Sequence, residues 1–129
     1  FILIFNGVYI GAIAGLITER GYIETFYPFV IAHGAFELTG IVLAGVAGIR
    51  LGLALIAPGR YSRLQALKRA AAHSVKIVYG VIVLLLLAAF VEAFWSSNDM
   101  LPNEIRYGVG AVCWLLVIIY FLRVGRDAA

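Results

Sequence analysis

His33, Glu37 and Glu92 are ionisable residues that stand inside otherwise apolar stretches of this sequence. Such a side chain at the centre of a membrane helix costs about 2.5–3.5 kcal/mol on insertion scales, so it has a function or a partner. His33 and Glu37 are four residues apart, which puts them one turn apart on one helix face. Glu92 comes near the end of a later apolar run, at a depth from which it could meet them. One imidazole and two carboxylates could relay a proton or hold an ion. The reading favoured here is a buried polar cluster of His33, Glu37 and Glu92 that pins helices together. No metal site is assigned, because one His and two carboxylates without a fixed motif are weak grounds for one.

No Gly-rich phosphate loop, nucleophile triad or Cys-x-x-Cys pair accompanies these residues. No catalytic residue and no cofactor is therefore assigned, and the chain is read as a non-enzyme. An intramembrane hydrolase using His33 and the carboxylates is the least favoured alternative. The one cysteine, Cys113, allows no internal disulfide.

The elements that must hold these residues are membrane helices. The 129 residues are 64% hydrophobic and 13% charged, where soluble domains carry roughly 25% charged residues. Mean hydropathy is +1.01. A spanning helix needs about 20 mostly apolar residues, so there is room for four spans and short connections. The first apolar run is 1–17, closed by Thr18-Glu19-Arg20-Gly21. The second, 22–57, is too long for one span. Pro28, which lacks an N–H, and Gly34 are its natural breaks. A short aromatic interfacial helix over 22–31 is expected, then a span from His33 to Ala57. Pro58-Gly59 stops that span, and the later spans are placed at 74–95 and 105–122. The fold class expected is all-α, a polytopic membrane protein with about four transmembrane helices. To these are added a short outer interfacial or re-entrant helix and a basic cytoplasmic amphipathic helix.

That basic helix opens at Ser62-Arg63-Leu64-Gln65, the pattern of a capping box. Leu64, Leu67 and Ala71 share one face while Arg60, Arg63, Lys68 and Arg69 flank it, as in a helix lying on a membrane surface. Loop charges give an orientation. Arg60, Arg63, Lys68, Arg69 and Lys76 surround the middle connection, and Arg123 and Arg126 belong to the tail. Glu19, Glu24, Asp99 and Glu104 stand against Arg20 and Arg106 in the other two loops. Positive-inside bias then puts the middle loop and both ends of the chain on the cytoplasmic side of the membrane. Tyr22, Phe26, Tyr27 and Trp95 suit an outer aromatic belt, and Arg50 can snorkel to lipid phosphates.

Gly7, Gly11 and Gly15 repeat every four residues, and Gly34, Gly45 and Gly52 form a second stripe with Gly48 on its flank. Glycine stripes let membrane helices approach closely, so all seven are expected at helix-packing faces, internal or between subunits. A homo-oligomer, lipid contact and further membrane or cytoplasmic protein partners follow; nucleic acid does not. The abrupt apolar opening suggests a single transmembrane domain over 1–129 that is a fragment of a longer protein lacking its N-terminal region.

The run His33-Gly34-Ala35-Phe36-Glu37-Leu38, then Ile41-Val42-Leu43-Ala44-Gly45-Val46-Ala47-Gly48, then Ala57-Pro58-Gly59-Arg60, resembles the stage II sporulation protein M family. Ala88-Ala89-Phe90-Val91-Glu92-Ala93-Phe94-Trp95-Ser96 resembles its second characteristic segment, and Asn6-Gly7 with Gly11 also fits. The resemblance implies an integral membrane scaffold or assembly module, of the broader branch outside sporulation, that could support cell-envelope or peptidoglycan-remodelling partners. It marks His33, Glu37 and Glu92 but gives them no catalytic role. The alternative is a permease-like module of a transport system working with a cytoplasmic ATPase.

Overall fold

The computed structural model describes residues 1–98 and 100–124, and among them the chain is helical with short connections. Helix α1 spans Ile2–Glu19 and α2 spans Ile23–Ile56. Helix α3 runs Arg63–Val91 and continues without a break into one π-helical turn, Glu92–Ser96. Helix α4 is Asn103–Val124. All four rods, with α3 counted through its π turn, are long and apolar enough to cross a membrane. Asp99 and Arg126, which entered the charge reading, lie outside the described residues.

Local chemistry sets the boundaries. At the end of α1 the Gly21 N–H donates to Thr18 O (3.1 Å) and the Tyr22 N–H to Ile17 O (3.1 Å). This paired closure needs a left-handed residue, and Gly21 supplies it at φ 82°. Gly59, at φ 63°, turns the chain after α2 in the same permissive way. The capping box at the start of α3 is formed: the Gln65 N–H donates to Ser62 Oγ (3.3 Å) and the Ser62 N–H to Gln65 Oε1 (3.4 Å).

Two elements expected from the sequence as separate helices are parts of longer ones. The interfacial helix over 22–31 is the first part of α2, which passes straight through Pro28. Proline in a helix removes one i→i−4 bond, here the one to the carbonyl of Glu24. That carbonyl accepts instead from Asn103 Nδ2 at 3.0 Å. The start of α4 thus supplies the donor that Pro28 lacks, and no break is needed. The basic stretch after Ser62 likewise continues into the span as one helix. Between Ser62 and Tyr79 no glycine or proline intervenes, and Ala70-Ala71-Ala72 favours helix.

Helix α2 is the axis of the bundle. It packs along α3, against α4 and, thinly, against α1, whereas α3 and α4 make little direct contact. Helix α1 has no buried residue. Its links to α2 are a hydrogen bond between Thr18 Oγ1 and Tyr27 Oη (2.9 Å) and the approach of Leu3 to Gly45. Helices α2 and α4 run parallel: Asn103 meets Glu24, and Gly110 meets Ile31, both at a sequence offset of 79 residues. The end of the bundle carrying Tyr22, Pro28 and Trp95 is called the aromatic end below. The end carrying Arg60, Arg63 and Lys76 is called the basic end. Large apolar side chains are exposed on every helix, among them Ile4, Ile49, Leu86 and Leu116, and lipid is the solvent that suits such a surface.

Candidate functional site: polar contacts at the aromatic end

Helix α2 carries His33 to the end of its contact with the α3 rod, where the residues flanking it, Ala32, Gly34 and Ala35, are also buried. Small neighbours let α3 approach closely enough for a polar contact to be enclosed. Its partner is Ser96. His33 Nδ1 and Ser96 Oγ are 3.0 Å apart, with the two residues 4% and 1% exposed. The Phe29 ring stands edge-on to the imidazole, centroids 5.3 Å apart. The π turn is what presents Ser96. The Ser97 N–H donates to Glu92 O (3.2 Å), five residues back, so the last turn is wider than an α turn and shifts Ser96 round the helix. The Trp95 indole N–H of the same turn is buried and has no acceptor among the described residues.

Of the three ionisable residues singled out from the sequence, only His33 is buried. Glu37 and Glu92 lie on exposed helix surface, and the side chain that reaches His33 is a hydroxyl. The buried cluster of three is therefore corrected to a His33–Ser96 pair. Helical spacing does place Glu37 one turn from His33, yet it points off the α3 contact. The π turn alters the register that an α-helical count from Glu92 gives for Ser96.

Two further residues close this end. Arg106, in the second turn of α4, is 6% exposed, and its Nη2 donates to the backbone carbonyl of Asn98. Asn103 Nδ2 donates to Glu24 O, as described. Sequence reading counted Arg106 only as a loop charge and did not single out Asn103. The available signal was the lone Arg four residues into an apolar helix that follows Pro102. Beside Arg106 lies an open cleft of about 360 Å³ lined by Ile17, Tyr22, Thr25, Phe26 and Phe29.

The glycines also sort differently from expectation. Side-chain carbon added at Gly7, Gly11, Gly15, Gly48 or Gly52 would meet nothing within 4 Å, and at Gly34 only its own helix's Val30. Of the seven, only at Gly45 would added carbon meet another helix within 4 Å. Besides its approach to Leu3, two further close approaches are at Gly110, where added carbon would lie 2.6 Å from Ile31, and at Gly40, 3.2 Å from Leu85. Neither had been picked out, because neither belongs to a four-residue repeat.

A serine hydroxyl hydrogen-bonded to imidazole is the contact a base-activated nucleophile would make. Here both groups are enclosed, and the cleft is not lined by either. No described carboxylate holds the imidazole's other nitrogen, and no group of three or more described His, Cys, Asp or Glu residues could hold a metal. The arrangement joins helices. The family model of stage II sporulation protein M matches residues 1–97, three-quarters of the chain.

The chain belongs to the stage II sporulation protein M family. The matched stretch contains α1, α2, α3 and the π turn, hence both His33 and Ser96. In this member of the family, α4, with Asn103, Arg106 and Gly110, falls beyond the match. No curated protein and no solved structure matches the chain.

Proposed function

We propose that this protein is a non-enzymatic integral membrane scaffold or assembly module of the bacterial inner membrane, with the basic end in the cytoplasm and the aromatic end outside. The observation that carries this is a division of surfaces. Polar side chains at the aromatic end make hydrogen bonds across helices, while α1 buries no residue and turns Gly7, Gly11 and Gly15 away from the rest of the chain. A rod held at its two ends with an open small-residue face suits attachment to a second helix, and a homo-oligomer through α1 is the form proposed. Cysteines at Val8 and Ala12, beside the glycines, should give disulfide-linked dimers in native membranes under mild oxidation. Substituting Gly11→Leu should abolish them. Monomer alone in both backgrounds would overturn the oligomeric form.

A second reading, a permease-like module, draws on the basic end. Because the basic stretch is the rigid start of α3, Arg60, Arg63, Lys68 and Arg69 form an exposed cationic surface on a stiff hairpin. Arg69 is held there, its Nη1 donating to Tyr61 Oη (2.6 Å) and its guanidinium 4.2 Å from the centre of that ring. Co-purification of a nucleotide-binding subunit, lost on Arg63→Glu with Lys68→Glu, would favour transport over scaffolding.

A further inference from the structure

Toward the basic end α3 and α4 part, leaving a groove of about 730 Å³ floored by α2. Phe36, Leu43, Val83, Leu84 and Leu116 make its walls apolar, and Gly80 leaves space where a side chain would stand. One charged residue lines it, Lys76, at the end nearest the start of α3. Lys76 has no ion-pair or hydrogen-bond partner among the described residues. On the facing helix Tyr120 lines the same groove, and Arg123 lies one turn further along the same face of α4. The described carboxylates are elsewhere. Glu19, Glu24, Glu92 and Glu104 belong to the aromatic end, and Glu37 lies about a quarter-turn round α2 from Phe36.

An apolar trough with a cationic mouth at the membrane boundary matches an amphiphile with an anionic head. Basic pockets between membrane helices bind anionic lipid head groups. The volume also falls within the range of small-molecule sites, about 300–1,000 Å³. We propose that this groove is a site for an anionic phospholipid of the leaflet at the basic end. Its acyl chain lies along Leu43, Val83 and Leu116, and its phosphate lies between Lys76 and Arg123. The ammonium of Lys76 sits on a four-carbon stem that can follow the apolar wall while its charge reaches the phosphate. The site is independent of α1 and of the scaffold reading.

The test is native mass spectrometry of the full chain released from nanodiscs of phosphatidylcholine doped with phosphatidylglycerol. The wild type should retain phosphatidylglycerol over phosphatidylcholine. Lys76→Gln should cut that preference about fivefold, the effect of about 1 kcal/mol per basic residue near an anionic surface. Lys76→Arg should keep it, and Gly80→Phe, which fills the trough, should lower retention of both lipids. Arg60→Gln, the same charge change outside the groove, should leave retention unaltered. Equal retention of the two lipids, no effect of Lys76→Gln, or an equal effect of Arg60→Gln would each overturn the site. So would a disulfide between copies through Gly80→Cys, which would give the groove to a second chain. Lys76 is exposed, so its variants fold and the charge arm decides the matter even if Gly80→Phe does not fold.

Discussion

The two ends of this bundle are held by different means. Among the described residues, four polar contacts at the aromatic end cross between helices or their flanking turns: Thr18 to Tyr27, His33 to Ser96, Asn103 to the Glu24 carbonyl, and Arg106 to the Asn98 carbonyl. There α4 comes so near α2 that Gly110 has Ile31 against its backbone. At the basic end one interhelical hydrogen bond, Ser74 Oγ to the Ala47 carbonyl (3.4 Å), joins α2 and α3, and α4 stands off across a groove. In lipid there is little hydrophobic drive to bring helices together, so close packing and hydrogen bonds decide where they meet. The lesson is that α4 is a rod clamped at one end, and substitutions should be felt according to that end.

The sharpest way to break this asymmetry is Gly110→Val. The added carbons would fall on Ile31 Cγ2 and Cγ1, at 2.6 and 2.8 Å. These atoms stand next to the α2 backbone and cannot swing away. Overpacking of this kind costs about 1–3 kcal/mol, and unfolding in mild detergent should show the loss. Gly108→Val, two residues away with nothing within 4 Å, should cost far less. Equal effects would mean that α4 is not clamped at Gly110.

The His33–Ser96 pair comes next. A cycle of His33→Ala, Ser96→Ala and the double variant should give a coupling of about 0.6 kcal/mol and at most about 1.7, the range found for interhelical hydrogen bonds in membranes. Ser97→Ala serves as the control, since its hydroxyl bonds only the carbonyl of Ala93 within its own turn (2.6 Å). Its coupling to His33 should be zero. Coupling of His33 to Glu92 greater than to Ser96 would restore the carboxylate cluster and remove the π turn's role.

How far these features could be read in advance depends on whether they were local. The helix stops at Gly21 and Gly59, the capping box at Ser62 and the number of spans rest on neighbouring residues, and all were legible. So was the family, whose motifs are contiguous runs. His33 was legible as a residue that needs a partner, but Ser96 was not, because it is presented by a π turn that an α-helical count cannot anticipate. Pro28 misled for a related reason. Its missing N–H is a local fact, whereas the Asn103 side chain that makes up for it stands 75 residues further along the chain. Repeats point to Gly7, Gly11 and Gly15, while close helix approach occurs at Gly45, which the second stripe includes, and at the isolated Gly40 and Gly110.

Asn103→Ala probes that distant compensation at a smaller scale. It leaves the Glu24 carbonyl without its side-chain donor at a place water can reach, so the loss should stay under about 1 kcal/mol. The loss should vanish in a Pro28→Ala background, because alanine restores the N–H that the carbonyl lacks. An unchanged cost in that background would show that Asn103 acts on α4 alone.

The smallest effect, with the opposite sign, belongs to the basic end. Gly48 and Gly52 lie inside α2, and added carbon there would meet nothing within 4 Å. Glycine in a helix is disfavoured against alanine by roughly 0.5–1 kcal/mol in water, and a helix held in lipid should recover no more than the lower figure. Gly48→Ala and Gly52→Ala should therefore raise stability by a few tenths of a kcal/mol in monomeric detergent-solubilised protein. A second helix seated on that face in membranes would reverse the sign there, since each methyl would hold the helices apart. Stabilisation in detergent together with loss of a crosslinked species in native membranes would place an intermolecular contact on α2 as well as on α1. Stabilisation in both settings would leave the glycines of α1 as the only stripe available to a partner.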